Sequence, residues 1–190
     1  MSNGLHHGID QPSAWVQQWS TRIPAAGRVL DVACGSGRHA RYLAGHGLRV
    51  EAVDRDAAAL NGLAGVAGVT TRVADLEGAA WPYTGQHFDA VVVTNYLHRP
   101  LFPHLLAVLA PGGVLIYETF TQGNETVGKP SRPDFLLRPG ELLEVCQGLR
   151  VVAFEEGFRE NPPRFVQRIA AVREPAATAG LPAPPRYLLT

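Results

Sequence analysis

Short runs of β-branched and apolar residues alternate along this chain with segments whose apolar positions recur at helical spacing. Runs at Arg28 to Ala33, Arg49 to Val53, Val69 to Ala74 and Phe88 to Thr94 predict four strands. Arg38 to Ala44 and Ala57 to Leu63, each after a turn that closes a strand, predict helices between them. That rhythm is the signature of a parallel sheet with crossover helices on both faces. After the fourth strand, Leu101 to Leu109 repeats apolar residues at helical spacing and is expected to stop at the breaker Ala110-Pro111-Gly112-Gly113. Val114 to Thr119 predicts a fifth strand.

Beyond it the pattern changes. Gln122 to Pro133 is polar, carries Gly and Pro and shows neither period, which predicts a surface loop long enough to act as a lid. Pro139-Gly140-Glu141 opens a helix to about Cys146. Arg150 to Glu155 and Phe165 to Val172 predict two last strands. The segment between them is too short for a crossover and should join an antiparallel pair. Trp15 and Trp19, four positions apart, predict a leader helix packed on the body, not a base-stacking platform. The reading is one α/β domain over 1–173, with 1–27 as its leader, and a Pro/Ala-rich tail over 174–190 that holds Pro175, Pro182, Pro184 and Pro185 and predicts little order.

The 190 residues suit a single core. Lys and Arg together number 17 and so do Asp and Glu, so there is no overall basic field of the kind a nucleic-acid binder carries. Cys34 and Cys146 are the two cysteines and lie in no pair spacing for zinc or redox chemistry. His6 and His7 are adjacent in a polar leader without partner ligands, so no metal is expected. Nothing approaches the ~20 apolar residues of a membrane span, and no signal-peptide core precedes the domain, so the expected setting is cytoplasmic. The pattern does not specify an oligomeric state.

Chemistry concentrates in Val29-Leu30-Asp31-Val32-Ala33-Cys34-Gly35-Ser36-Gly37, an apolar strand with one acid near its end that runs through a Gly-rich turn into a helix. Glycines let backbone approach a ligand, and the helix start offers free N–H groups to a carboxylate. The same glycines would also serve a plain strand-to-helix turn. Gly35-Ser36-Gly37-Arg38-His39-Ala40 with Asp54 beyond it satisfies a dinucleotide fingerprint as well. Asp31 separates the two cofactors: it repels a pyrophosphate and attracts an ammonium and a sulfonium, which favours S-adenosylmethionine over NAD. Asp54, after the second strand, can accept both ribose hydroxyls, and Asp75, after the third, can accept from an adenine amino group. Successive carboxyl ends of parallel strands line one crevice, so the three acids are expected along one edge of the sheet.

These segments, with Val53-Asp54, Ala74-Asp75-Leu76, Phe88-Asp89-Ala90-Val91-Val92 and Leu109-Ala110-Pro111-Gly112-Gly113-Val114-Leu115, resemble the ordered motif set of class I S-adenosylmethionine-dependent methyltransferases. The resemblance covers most of Arg28 to Thr119. It implies a three-layer Rossmann-like sheet of seven strands in the order 3-2-1-4-5-7-6 with strand 7 antiparallel. It also implies S-adenosyl-L-methionine as cofactor, held by Asp31, Ala33, Gly35, Gly37, Asp54, Arg55, Asp75, Leu76, Thr94, Asn95 and Tyr96. Leu97-His98-Arg99 and Leu136 to Leu142 resemble, over short pieces only, the small tellurite-resistance-type bacterial methyltransferases, a likeness that names no tellurium or selenium substrate.

On the acceptor side, methyl transfer from a sulfonium is an in-line displacement that depends on alignment more than on a strong base. Tyr96, His98 and Glu118 are the candidate catalytic residues, with Tyr117 and the lid completing an expected acceptor pocket. The plainer alternatives are that His98 and Arg99 begin a helix and that Glu118 pairs with an arginine such as Arg159. Asn161-Pro162-Pro163-Arg164 resembles the N-P-P motif of nucleic-acid amino methyltransferases, but that motif belongs directly after the fourth strand, so it is discounted. The leading expectation is a methyltransferase for a small-molecule acceptor. RNA or protein methylation, an NAD-binding oxidoreductase and a non-catalytic S-adenosylmethionine-binding module stand behind it.

Overall fold

A computed structural model describes residues 11–175 and 186–187. The expectations about His6 and His7, and about the tail over 176–185 and 188–190, lie outside the described residues. Seven strands form one sheet: β1 (Arg28–Val32), β2 (Arg49–Asp54), β3 (Val69–Val73), β4 (Phe88–Thr94), β5 (Leu109–Phe120), β6 (Arg150–Glu160) and β7 (Pro163–Val172). Their order is β3-β2-β1-β4-β5-β7-β6. The first five pair in parallel, and β7 runs antiparallel to both β5 and β6. This is the seven-stranded Rossmann-like order, with strand 7 antiparallel, that the resemblance implied.

Five helices cover it: α1 (Ala14–Ser20), α2 (Arg38–Gly45), α3 (Ala57–Asn61), α4 (Phe102–Ala107) and α5 (Glu141–Val145). Because side chains alternate across a strand, β1 and β4 supply both faces. Val29, Ala90 and Val92 pack with Trp15, Trp19, Leu43 and Leu60 beneath the first three helices. Leu30, Val32, Val91 and Val93 pack with Leu105 and Leu142 beneath α4 and α5. Apart from the buried Asp31, β1 and β4 thus bury apolar side chains on both faces, as central parallel strands do.

Three boundaries differ from the sequence pattern. The fourth helix ends at Ala107, and Ala110 to Gly113 lies inside β5 instead of before it. There the register with β4 shifts between Phe88 and Ala90, Gly112 has φ 83°, and its N–H donates to the Arg173 carbonyl. The Pro-Gly-Gly breaker thus makes a bulge, because β7 supplies partners that a helix end would lack. The final hairpin is longer than expected, since pairing continues to Glu160 opposite Pro163 around Asn161 and Pro162. Phe158 and Phe165, directly opposite, pack with ring centroids 4.9 Å apart and planes tilted at 48°. The aperiodic segment after β5 holds a short 3-10 turn at Asn124–Thr126, and the buried Asn124 pins it by donating to the Pro130 carbonyl and accepting from the Phe165 N–H.

Trp15 is 2% exposed, and its Nε1 donates to the Ile169 carbonyl at 3.1 Å. Truncating a side chain of this size in a close-packed site leaves a cavity. Trp15→Ala is expected to lower unfolding free energy by ~3–5 kcal/mol. Denaturant titration should show the midpoint falling with little change in slope, and an unchanged midpoint would contradict this packing role.

Candidate active site

The carboxyl ends of β1 and β4 are neighbours whose chains leave to opposite faces of the sheet, which opens a crevice between them. Two cavities, of about 410 Å³ and about 700 Å³, share the walls Ala33 and Asn95. Both residues have left-handed backbone, at φ 52° and φ 54°. Non-glycine residues keep such angles only where surrounding contacts impose them. Here the Asn95 N–H donates to the Glu118 carbonyl and the Cys34 N–H to the Val53 carbonyl.

The smaller cavity runs along the ends of β2 and β3. Asp54, Arg55, Asp75, Leu76 and Tyr96 line it, together with Glu77, Phe120 and Phe135, which the sequence reading did not single out. Asp54 accepts from the Gly35 N–H at 2.7 Å through Oδ2 and from the Asp56 N–H at 2.9 Å through Oδ1. Each carboxylate oxygen keeps a further lone pair for a ligand hydroxyl. Asp75 is exposed, and backbone N–H groups of Glu77 and Gly78 hold its carboxyl below the usual range. Tyr96 lies beside Glu77 with its phenol pKa raised, mainly by burial. That puts its side chain on this half of the crevice and away from the expected acceptor pocket.

Asp31 lies under the turn and lines neither cavity. It is 1% exposed, burial raises its pKa from 3.8 to about 7, and the Ala40 N–H opposes that rise. Its Oδ2 has no hydrogen-bond partner among the described residues. An orphaned buried carboxylate oxygen at this point fits a ligand that brings positive charge to the turn. The two glycines differ. A Cβ on Gly35, at φ 55°, would meet nothing within 4 Å, so its backbone is open to the crevice. A Cβ on Gly37 would run into the Leu63 side chain, so this glycine serves helix packing, and it lines neither cavity.

The larger cavity lies on the other side of Ala33, walled by the turn after β1, the start of α1, Thr94, Glu118 and the tip of the β6–β7 hairpin. His39, missed in the sequence although it stands inside the Gly-rich motif, organises this half. Its Nε2 accepts from the Ser13 N–H at 3.1 Å, and its Nδ1 lies 3.3 Å from the Thr94 hydroxyl. Ser13 also donates from its hydroxyl to Glu118 at 3.1 Å. Glu118 is 1% exposed and pairs with Arg168 at 3.3 Å, not with Arg159, because the antiparallel register sets Glu118 opposite Arg168 and Arg159 opposite Arg164.

Two further candidates, Tyr117 and His98, fall outside the expected acceptor pocket. Tyr117 is 1% exposed in the core, where its hydroxyl donates to the Tyr96 carbonyl. His98 precedes the 3-10 turn Arg99–Leu101 and lines neither cavity. Arg99 is held by both carboxylate oxygens of Glu141, at 2.7 and 2.9 Å, and ties down the segment before α5. Among the described residues no group of His, Cys, Asp or Glu could hold a metal ion. No helix among them is long and apolar enough to cross a membrane.

Residues 29–113 match a family model described as a methyltransferase domain. No curated protein matches the chain in sequence. Among solved structures, the fold is similar to TehB from Haemophilus influenzae, with TM-score 0.72, 19% identity and 86% of this chain covered. The chain spans 63% of that protein's length. It is also similar to a TehB-like SAM-dependent methyltransferase from Corynebacterium glutamicum, with TM-score 0.63, 19% identity and coverage of 84% and 87%. A third likeness is to the N-methyltransferase NodS from Bradyrhizobium japonicum, with TM-score 0.66, 16% identity and coverage of 84% and 93%.

His39 and Asp31, each buried, are shifted in ways that act on stability in opposite senses. Burial, aided by Arg38, lowers the His39 pKa from 6.5 to about 3. Between those values the unfolded chain binds the extra proton, so the contribution of His39 to stability is lost as pH falls. Asp31, raised from 3.8 to about 7, holds its proton in the folded chain over that window, so its contribution is lost as pH rises. His39→Gln keeps a donor and an acceptor but removes the first slope. Its stability relative to the parent should therefore improve as pH drops from about 7 to about 5. Urea unfolding across that range checks this, and a pH-independent difference would count against it.

Proposed function

We propose that this chain is a class I, S-adenosylmethionine-dependent methyltransferase that transfers the methyl group to a small-molecule acceptor. The observation that carries the reading is the two-part crevice, with Asp54 and Asp75 on one half and a separate, larger cavity beyond the shared walls Ala33 and Asn95. A nucleoside lies along the smaller half in this reading. Asp54 accepts from the ribose hydroxyls, Asp75 from the adenine amino group, and Leu76 and Tyr96 flank the base. The open backbone at Gly35 takes the methionyl part, and the buried Asp31 carboxylate answers its ammonium from below.

When bound, the cofactor supplies a methyl group already activated on a sulfonium. What this chain contributes is alignment and a dry setting, and no strong base is required of it. Thr94 and Asn95 bound the point where the halves meet, and Glu118, engaged by Ser13 and Arg168, holds the acceptor wall in shape. Tyr96 belongs with the cofactor half. Closure of the segment after β5 would have to break or carry with it the bonds that tie Asn124 to Pro130 and to Phe165. The cavity is enclosed by single loops and a hairpin, which suits a small acceptor better than RNA or a protein surface. Two buried free cysteines fit the reducing setting of the cytoplasm.

Calorimetry should show S-adenosylhomocysteine binding and no NAD binding; the reverse result would refute the reading. Asp54→Ala is expected to weaken S-adenosylhomocysteine by ~10-fold or more, because two hydroxyls donate to one charged carboxylate. Asp75→Ala should weaken it less, since that group is exposed. Equal or reversed losses would overturn the two assignments.

A further inference from the structure

The larger cavity is lined by two hairpin arginines, Arg159 and Arg164, and Glu118, the one carboxylate that lines it among the described residues, is already engaged by Arg168. Of the other titratable side chains in its wall, His39 is held neutral by burial and the Cys34 thiol is pushed up, also by burial. Arg159 and Arg164 face each other across the β6–β7 hairpin, and neither has a carboxylate within salt-bridge distance among the described residues. Like charges directly opposite on a hairpin are destabilising, and nothing in the hairpin's own packing requires them. Arg164 goes further: its Nε is buried and has no hydrogen-bond partner. A buried guanidinium N–H with no acceptor is a costly feature that a bound oxyanion would relieve.

Resting on the methyl-transfer reading of this crevice, we propose that the larger cavity takes an acceptor bearing an anionic group, a carboxylate or a phosphate, bound by Arg164 and Arg159 of the hairpin. The planar guanidinium fork suits both oxyanions in a bidentate manner. The need for an anion grows when the cofactor is present, because its ammonium and sulfonium outweigh its single carboxylate and add positive charge to an already cationic space. The cofactor's own carboxylate has another partner on the opposite wall, the Arg38 and His39 N–H groups at the start of α2, the Ala40 N–H being taken by Asp31. The hairpin arginines are thereby left for the acceptor, with the anionic end fixed at the hairpin and the nucleophilic atom directed towards Ala33 and Asn95.

The test uses the full chain saturated with S-adenosylhomocysteine and three probes, benzoate, phenyl phosphate and the neutral benzamide, with ligand-observed NMR as readout. We expect benzoate or phenyl phosphate to bind and benzamide not to bind. The stronger of the two anions identifies the acceptor's charged group. Arg164→Gln and Arg159→Gln should each weaken that anion by ~10-fold or more while leaving S-adenosylhomocysteine affinity unchanged. Arg164→Lys, which keeps the charge, should retain part of the binding. If Arg164→Gln does not fold, Arg159→Gln at the more open strand carries the same test. Equal binding of benzamide and benzoate, or anion binding that both Gln variants keep, overturns the proposal. So does a matching loss of S-adenosylhomocysteine affinity, which would assign the arginines to the cofactor. Failure of the unsubstituted chain to bind S-adenosylhomocysteine overturns the methyltransferase reading first, and that control separates the two failures.

Discussion

The turn that leaves β1 must present open backbone to the crevice and still start a helix three residues later, and the Asp54 carboxylate is what holds it in that shape. One oxygen receives the Gly35 N–H from the neighbouring strand's turn, and the other receives the Asp56 N–H at the head of α3. Two adjacent crossovers are thus tied to a single charged group. Charge-assisted bonds of this kind are about twice as strong as neutral ones. The same carboxylate faces the smaller cavity, so the group that shapes the turn is also the group offered to a ribose. Below it Asp31 supports the start of α2 and keeps one oxygen unsatisfied. A fold stabilised for its own sake would not leave a carboxylate in that state. The arrangement makes sense when a cation completes it.

The acceptor half is built by long-range pairing. Ser13 at the start of α1 reaches His39 on α2 and Glu118 on β5, while Glu118 reaches Arg168 on β7. Four elements far apart in sequence therefore meet at one wall. The antiparallel insertion of β7 beside β5 decides the charges here, since register sets Arg168 against Glu118 and leaves Arg159 against Arg164. Neutral His39 adds polarity without charge, because burial and Arg38 disfavour its cation. The result is a cavity with one compensated carboxylate and an excess of guanidinium groups.

Local pattern was enough to read the parallel core. Val29 to Val32 and Phe88 to Thr94 are apolar on both faces, and each acid that follows a strand marks the same edge of the sheet. The cofactor half was legible for that reason: Asp54, Arg55, Asp75 and Leu76 sit within a residue or two of strand ends that periodicity can find. The acceptor half was not. Tyr117 and Glu118 are adjacent on β5, yet alternation sends one into the core and the other into the cavity, and the side is decided by β7. Arg164 stands at the end of an Asn-Pro-Pro-Arg segment whose local pattern carries no such signal, because its relation to Arg159 exists only once the hairpin register is formed. The breaker at Ala110 to Gly113 misled in the same way, since a strand from the far end of the chain turns it into a bulge.

A structure of the chain crystallised with S-adenosylhomocysteine tests the central claim most directly. The account predicts the ribose hydroxyls on Asp54, the adenine along Asp75 and Leu76, and the amino-acid end over Ala33 to Ser36 with its ammonium above Asp31. A nucleoside bound in the larger cavity, or one reversed so that the amino-acid end meets Asp75, would contradict it.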